Sequence, residues 1–418
     1  MPTERYEILH IDLDAPIPSV RCPDDAAGLA FVFRFEGAPA GFCMHPMTPG
    51  EELPSEDLAG LGFAWCRETV LSRRVQEELQ GDARAATPSH FPSLDIAICT
   101  HSRATDLATL LENLERLGLT RASENTRVIV IDNAPKDTST EDVVRRFHGV
   151  RYLKEPLQGL DFARNRAVQV STAELLAFLD DDVVVDDCWF RGLQQAWALD
   201  PNAGAFTGPI LPAELETRAQ VTFEQMGGFG KSFQRTRFTK TLPQNETFPV
   251  GAGIMGAGAN MVFRTQVLRD LSGFDDALDT GAPLPGGGDL DMFYRIIRAG
   301  YPLVYEPTLT VYHRHRREYK KLRRQMWTWG TGTMAYLTKS WKTDLEYRPH
   351  IQHWILWWGA NCLSKMFVPF LRKTKVKWPM DMVAAEFAGG VVGLCGEYGR
   401  SLRRVEAIRR RAAVAAEG

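Results

Sequence analysis

Three consecutive carboxylates, Asp180, Asp181 and Asp182, lie between two apolar runs in the stretch AFLDDDVVV. Neighbouring acids stay ionised most readily when a cation lies between them. Because alternate residues of an extended segment point the same way, Asp180 and Asp182 can face one site while Asp181 faces the other. Oxygen ligands suit Mg²⁺ or Mn²⁺, which would also hold phosphate oxygens. The alternative is a solvated acidic turn, but the position directly after an apolar strand favours the metal site.

Polar groups also end or follow the three apolar runs that precede this one. The runs are LDIAIC, RVIVI and VRYL, and the polar segments are THSR, DN and EPLQGLDFARN. Helical segments separate the runs, and the first carries five leucines on one face. Strands without polar alternation, separated by helices, indicate a parallel sheet covered on both faces, which binds ligands at the carboxyl ends of its strands. The sequence therefore predicts an α/β domain with a binding site along one sheet edge.

The composition excludes some classes of protein. With 49 basic and 52 acidic residues, the formal net charge of -3 argues against bulk nucleic-acid binding. The seven cysteines are an odd number, scattered and without a CxxC pair, which suits a reducing cytosol. The N-terminus carries acids where a signal peptide needs an apolar core, so we expect a cytoplasmic protein.

Three units are predicted for a chain of 418 residues. They are an N-terminal accessory α/β unit over 1–90, an α/β domain over 91–340 and a helical extension over 341–418. In the first unit we expect a strand near Tyr6 to Ile11, two strands joined at 36–39 and a helix over about 55–79. The loop GDARAATPSHFPS then forms a predicted linker.

The helical extension contains the apolar, tryptophan-rich stretch HWILWWGANCLSKMFVPFLRK. Its polar interruptions leave it short of the roughly 20 clean apolar residues of a spanning helix. Together with Lys373, Lys375 and Lys377 it fits an amphipathic surface that contacts an anionic membrane from the cytoplasmic side. Core packing of a helical unit and formation of a homodimer are the alternatives.

Six segments in order resemble the motif series of the family 2 glycosyltransferases, inverting enzymes of the GT-A fold. They are TRVIVIDNA, GLDFARNRA, AFLDDDVVV, GANMVFRTQVLRDLSGFDDAL, GGGDLDMFYRIIRAGYPLVYEP and VYHRH, within about residues 93 to 335. The resemblance implies a Rossmann-like, mainly parallel sheet with helices on both faces, a nucleotide-sugar donor and Mg²⁺ or Mn²⁺ as cofactor. A UDP-sugar is the favoured donor, and the acceptor would be a glycan, a lipid-linked molecule or a small molecule.

The resemblance also implies roles for individual residues. The donor-binding residues would be Thr100, Arg103, Asp132, Arg164, Asn165, Asp180 and Asp181, and the metal ligands Asp180, Asp182 and His313. Arg164 can also pair with the acidic run. The catalytic base of the family is the Asp of a Glu-Asp pair at the start of a helix. Here Asp289 matches that Asp, and Gly288 replaces the glutamate. Asp291 points elsewhere along the helix, and a helix N-cap is the alternative for Asp289.

Asp289 would take the proton of an acceptor hydroxyl that displaces the nucleoside diphosphate in one inverting step, with the metal and Arg164 stabilising the leaving group. Formation of a bacterial surface polysaccharide, a glycolipid or a glycosylated metabolite would fit. One alternative is a sugar nucleotidyltransferase, but CTHSRATDL lacks the Gly-rich phosphate loop expected there. The other is a non-catalytic sugar-nucleotide-binding scaffold, which Gly288 keeps open.

The segment that begins at His313, HRHRREYKKLRRQMWTWGTG, has seven Lys or Arg and one Glu. It predicts a solvated basic helix, a mobile lid or a contact to an acceptor phosphate. Trp327 and Trp329 within it either stack on a sugar or pack in the core.

Overall fold

The computed structural model describes residues 4–80, 91–121, 125–230, 232–242, 245–281, 284–372 and 378–417. Most of the predicted linker, residues 81–90, lies outside these described residues, as do Lys373, Lys375 and Lys377 of the predicted membrane-contacting surface. The boundaries of the three units stay a prediction.

The N-terminal unit contains a three-stranded sheet with one long helix against it. Its elements are β1 (Tyr6–Asp12), β2 (Val20–Arg21), β3 (Gly28–Phe35), β4 (Ala38–Pro46), β5 (Glu52–Leu53) and α1 (Ser55–Gln80). β3 lies in the middle, parallel to β1 and antiparallel to β4, and its residues Phe31 and Phe33 are fully buried with Leu58 of α1. This unit therefore has a hydrophobic core of its own, and the strands and helix predicted for it are present.

The first half of the α/β domain follows the sequence prediction closely. Its elements are β6 (Leu94–Thr100), α2 (Ala104–Arg116), β7 (Thr126–Asn133), α3 (Ser139–Val144), β8 (Val150–Glu155), α4 (Leu160–Val170) and β9 (Leu175–Asp180). The four strands are parallel, in the order β9-β6-β7-β8. Separate hydrophobic cores cover the two faces, with the leucines of α2 in one and Ala163 and Ala167 of α4 in the other. Buried apolar strands thus produced the expected layered arrangement.

The second half contributes shorter elements. They are β10 (Val183–Val185), α5 (Trp189–Leu199), β11 (Ala205–Thr207), β12 (Ile210–Pro212), α6 (Arg218–Gln225), β13 (Thr236–Phe238), a 3₁₀ turn (Ala252–Met255), β14 (Asn260–Arg264), α7 (Thr265–Asp270), β15 (Asp279–Gly281), β16 (Leu284–Pro285), α8 (Gly288–Arg298), β17 (Leu303–Tyr305) and β18 (Val311–His313). They complete an eight-stranded sheet, β13-β17-β11-β14-β9-β6-β7-β8, in which β14 runs antiparallel to both neighbours. A small second sheet has the order β10-β18-β12.

The C-terminal region is helical, as predicted. Its elements are α9 (Tyr319–Thr343), α10 (Arg348–Arg372), α11 (Met380–Val392), a π-helical turn (Gly393–Glu397) and α12 (Tyr398–Glu417). α9 and α11 touch backbone to backbone, since a Cβ on Gly330 would lie 2.0 Å from the carbonyl of Glu386, and one on Gly389 2.0 Å from that of Trp327. Among the helices of the described residues, none is both long and apolar enough to cross a membrane.

Candidate active site

A cavity of about 750 Å³ opens at the carboxyl ends of β6, β7 and β9. The predicted site residues that line it are Thr100, Arg103, Arg164, Asp180, Asp181, Asp289 and His313. The strand ends supply the first members of this set, as the edge argument predicted, whereas Asp289 and His313 come from segments that cross to the same edge.

The candidate metal ligands converge beside this cavity. One ligand atom each from Asp180, Asp182 and His313 lies within 4.8 Å of the others. Asp180 ends β9, and the β10–β18 register sets Val183 opposite His313, which brings the imidazole Nε2 to 3.2 Å from Asp182 Oδ1. Two carboxylates and one imidazole form a donor set that suits Mn²⁺ and accommodates Mg²⁺ less well, so the residues fit the implied metal.

Two further side chains, those of His315 and Glu224, orient His313 on the side of its ring opposite Asp182. Its Nδ1 lies 3.1 Å from Nδ1 of His315, whose Nε2 lies 2.8 Å from Oε1 of Glu224. All of these groups are buried, so the ring of His313 is held with Nε2 toward the acids. Such support behind a ligating histidine is common in metal sites.

Asp181 lies in a turn with Asp182 rather than in an extended segment, so the expected alternation does not hold, but Asp181 is outside the group of candidate metal ligands. Its Oδ2 accepts from Thr100 Oγ1 at 2.7 Å and its Oδ1 from Arg103 Nη1 at 2.9 Å. The same guanidinium nitrogen lies 2.9 Å from Asp182 Oδ2. Thr100 and Arg103 therefore hold the acidic turn in shape rather than lying free for a nucleotide.

The pKa values of the three acids in the turn shift in different directions. Burial raises the pKa of Asp181 to about 6, against the opposing charge of Arg103. Burial alone would also raise the pKa of Asp182, but His313 and Arg103 bring it well below its usual value. The pKa of Asp180 is raised by burial and by the charge of Asp182. Burial thus disfavours the charge of both Asp180 and Asp181, and a cation bound beside Asp180 would counter this effect.

Asp289 lies in the first turn of α8 and lines the cavity. Its Oδ2 accepts from the Gly258 backbone N–H at 2.8 Å, and its Oδ1 from that of Leu290 at 2.9 Å. The N-cap position belongs to Gly287, which excludes the N-cap alternative for Asp289. Asp291 points away, as expected, and its carboxylate is bound by Arg295 and Lys339 at 2.7 Å each.

Arg164 pairs with Asp161 of its own helix rather than with the acidic run. The guanidinium Nη1 donates to Asp161 Oδ1 at 2.9 Å, and both side chains are buried. The charges of Asp279, Asp289 and Asp180 also act on Arg164 and, against burial, raise its pKa. A fixed, permanently charged cation therefore lies among the acids of the cavity.

The carboxylate of Asp161 occupies the space that a side chain at Gly288 would fill. A Cβ at this position would lie 2.0 Å from Asp161 Oδ2, an oxygen with no hydrogen-bond partner among the residues that the structure describes. Burial raises the pKa of Asp161, and Arg164 opposes that rise. A carboxylate from α4 thus lies next to residue 288, where the resemblance implied a glutamate.

Two predicted donor-binding residues, Asn165 and Asp132, lie outside the lining of this cavity. The side-chain amide of Asn165 donates to Phe274 O at 2.9 Å and to Asp276 Oδ1 at 2.7 Å, so Asn165 fixes the 274–276 turn and lines a different cavity. Asp132 is buried and accepts from the Tyr152 hydroxyl at 2.8 Å, and it does not line the 750 Å³ cavity. Its neighbour Asn133 does line it.

Sequence reasoning missed Asp279, a nearly buried acid of β15 that lines the cavity. Burial and the charge of Asp161 raise its pKa well above its usual value. Its position nine residues before Gly288, at a Gly-Pro-rich turn, was the available signal. Arg316 and Trp329 of the basic segment also line the cavity, while Trp327 does not.

The model of glycosyl transferase family 2 matches residues 95–270, from β6 to α7 and including the acidic turn. These residues form a family 2 glycosyltransferase domain. The eight-stranded sheet with helices on both faces and the acidic turn after β9 is the GT-A fold that the sequence predicted.

Curated glycosyltransferases are similar to part of this chain. The pre-mycofactocin glycosyltransferase of Mycobacterium tuberculosis is 28% identical over 233 residues, which are 55% of this chain and 44% of that protein. The succinoglycan biosynthesis protein ExoM of Rhizobium meliloti is 31% identical over 128 residues, 29% of this chain and 40% of that protein. The chain thus spans less than half the length of these relatives. Among solved structures, the mannosyltransferase PcManGT of Pyrobaculum calidifontis, in complex with GDP-Man and Mn²⁺, is 18% identical with a TM-score of 0.48, covering 73% of this chain and 88% of that one.

Proposed function

We propose that the protein is a metal-dependent, inverting glycosyltransferase that moves a sugar from a nucleoside diphosphate donor to an acceptor hydroxyl. The observation that carries this proposal is the convergence of Asp180, Asp182 and His313 at the cavity that Asp289 lines. A metal site holds a diphosphate, and a carboxylate in the same cavity accepts a proton.

Asp289 is the proposed base. Its Oδ2 is fixed by the Gly258 N–H, so the carboxylate is oriented before an acceptor arrives. The acceptor oxygen forms a bond to the anomeric carbon as the bond to the diphosphate oxygen breaks, and the hydroxyl proton passes to Asp289. The nucleoside diphosphate leaves with the bonding electron pair, and the configuration at the anomeric carbon inverts.

The leaving diphosphate requires positive charge. Asp180, Asp182 and His313 would hold a Mn²⁺ or Mg²⁺ ion, which when bound neutralises developing charge on the diphosphate. Arg164 supplies a further fixed cation, and Arg103 keeps Asp181 and Asp182 in place. Arg316, which lines the cavity 3.9 Å from Asp182 Oδ2, supports the lid or phosphate-contact interpretation of the basic segment.

A UDP-sugar is the proposed donor, and the acceptor is a glycan, a lipid-linked molecule or a small molecule. Trp329 supports a sugar acceptor, because its ring lines the cavity and is 37% exposed. We also propose that the protein is cytoplasmic. Its helix α10 would either contact the inner face of the membrane or form a homodimer. The exposed residues Leu356 and Trp357 on that helix support either surface.

The test compares wild type with Asp289→Asn in assays with UDP- and GDP-sugars, with and without Mn²⁺. We expect the variant to keep donor affinity, measured by calorimetry, and to lose at least about 100-fold in turnover, because it cannot accept the proton. Asp187→Asn, an exposed acid whose side chain is 66% accessible, serves as the control. Unchanged turnover in Asp289→Asn would remove the proposed base. Donor binding without turnover by the wild type would instead indicate the scaffold. Formation of a nucleoside triphosphate and a sugar 1-phosphate on addition of pyrophosphate would indicate the nucleotidyltransferase.

A further inference from the structure

The N-terminal unit reaches the strands that carry two of the candidate metal ligands. Arg34 of β3 donates from Nη1 to Asp186 Oδ2 at 2.7 Å and from Nη2 to Oδ1 at 3.1 Å. The same Nη1 lies 3.2 Å from the Tyr312 hydroxyl, which donates to Asp186 Oδ2 at 2.8 Å. Side chains of Arg34 and Asp186 are only 17% and 3% exposed, so these contacts exclude most water.

Tyr312 lies on β18 and Asp186 lies at the end of β10, and this strand pair positions Asp182 and His313. Asp186 directly follows β10, and its backbone N–H donates to Thr310 O at 3.2 Å. At the other end of the same ladder the Arg314 N–H donates to Asp182 O at 3.1 Å. Between them, Val184 pairs with Tyr312 and Val183 with His313. A shift of this strand pair would therefore move Asp182 and His313 together.

Tyr312 and His313 are neighbours on β18 and point to opposite faces. The phenol of Tyr312 lies against the N-terminal unit, with the His10 ring centroid 5.5 Å away, while His313 lines the cavity. Fixing the hydroxyl on one face thus limits rotation of the strand that aims the imidazole on the other. The pKa of Asp186 agrees with a tight clamp, since burial would raise it and the hydrogen bonds from Arg34 lower it.

We propose that the N-terminal unit is a brace for the metal site, with Arg34 as a positioning residue that acts through Asp186 and Tyr312 on Asp182 and His313. This inference rests on the proposed metal-dependent function and assigns a role to a unit that lies outside the family match. Arg34 touches neither donor nor metal in this account. Arg34 instead fixes the relative positions of Asp182 and His313, which would bind the ion.

Arg5 provides a matched control within the same unit. Its Nε lies 3.0 Å from Glu216 Oε2, so it also forms an ion pair between the N-terminal unit and the α/β domain, and its Nη1 donates to both carboxylate oxygens of Asp25 at 2.7 Å. Among the described residues, these side-chain partners lie outside β10 and β18. Arg34→Met and Arg5→Met each remove one such pair while keeping an apolar stem. Docking of the unit is weakened in both, and only the first removes the brace.

The experiment measures Mn²⁺ affinity of the full chain without nucleotide, from free Mn²⁺ in electron paramagnetic resonance. We expect Arg34→Met to bind Mn²⁺ about tenfold more weakly, as for loss of an outer-shell partner, and Arg5→Met to stay within about twofold of wild type. Turnover of Arg34→Met should return toward the wild-type value at saturating Mn²⁺, which a defect in general folding would not produce.

Tyr312→Phe keeps the ring and removes only the hydroxyl, so it tests the same brace if Arg34→Met does not fold. We expect a two- to threefold weaker Mn²⁺ affinity, the order expected for one outer hydrogen bond. Equal Mn²⁺ affinity in wild type and both brace variants would overturn the inference while leaving the proposed function intact. A wild type that binds no Mn²⁺ would instead overturn the metal-dependent function and this inference together.

Discussion

The two walls of the cavity are built in different ways. One, here the strand wall, consists of Thr100, Arg103, Asp180 and Asp181 at or just after the ends of β6 and β9. The other, the loop wall, consists of Gly258, Asp279, Gly287 and Asp289, which lie on turns, a two-stranded hairpin and a helix start. Ladder hydrogen bonds fix the strand wall, whereas close contacts at glycines shape the loop wall.

This difference decides what each wall tolerates. On the strand wall a changed side chain leaves the backbone position to the parallel ladder. On the loop wall Gly287 has a φ of 111°, and a Cβ there would lie 2.8 Å from the carbonyl of Gly332 on α9. Substitution of Asp180 on the strand wall should therefore alter chemistry alone, and substitutions on the loop wall should alter both chemistry and packing.

Loss of a metal ligand on the strand side should have the largest effect. Asp180→Asn removes one anionic ligand whose charge is disfavoured in the folded protein, since burial and the charge of Asp182 raise its pKa. We expect turnover with a UDP-sugar and Mn²⁺ to fall by about 1,000-fold or more, since the diphosphate loses its counter-charge. Thermal unfolding should shift little, because the ladder persists. A fall in the melting temperature as large as that of a core variant would contradict the division into two walls.

Gly288 tests the loop wall at its tightest contact. Gly288→Ala brings a Cβ toward Asp161 Oδ2, so we expect an unfolding free energy lower by about 1–3 kcal/mol and turnover lower by about tenfold. The swap Asp161→Gly with Gly288→Glu removes the clash and restores an acid near Arg164. It should recover turnover above either single variant, measured at saturating donor. If the swap is no better than the worse single variant, the two positions do not share one acid.

The free energy of unfolding should depend on pH through Asp279 of the loop wall. Its pKa is raised in the folded state by burial and by Asp161, so folded protein binds this proton more tightly than unfolded protein does. Stability from this group is thus lost as pH rises above the unfolded value of about 4. Asp279→Asn should raise the melting temperature at pH 8 and leave it nearly unchanged near pH 4. An equal shift at both pH values would contradict the cause given.

The structure also explains which features the sequence could predict. Uninterrupted apolar runs revealed β6, β7 and β9, and the parallel arrangement then put Thr100 and Asp180 at one edge. The acids after β9 form a turn, so the alternation of an extended segment does not explain why Asp181 lies outside the ligand group. The hairpin that carries Asp279 has strands of three and two residues, too short for any periodicity to appear.

Asn165 and Arg164 line different cavities for a geometric reason. Asn165 follows Arg164 on α4, and successive helical residues point about 100° apart, so the two side chains cannot share a direction. Arg164 faces the cavity and Asn165 faces the 274–276 turn. Asp161 looked like an ordinary acid in the first turn of a helix, and only the three-dimensional contact with Gly288 shows its position in the site.

The most direct test of the account is a crystal soaked with Mn²⁺ and UDP, measured at a wavelength that gives anomalous scattering from manganese. We predict one peak at roughly 2.0–2.3 Å from Asp180, Asp182 and His313, with diphosphate oxygens on its open side. A soaked site in which these three side chains surround only water, or a peak bound elsewhere in the chain, would contradict the account.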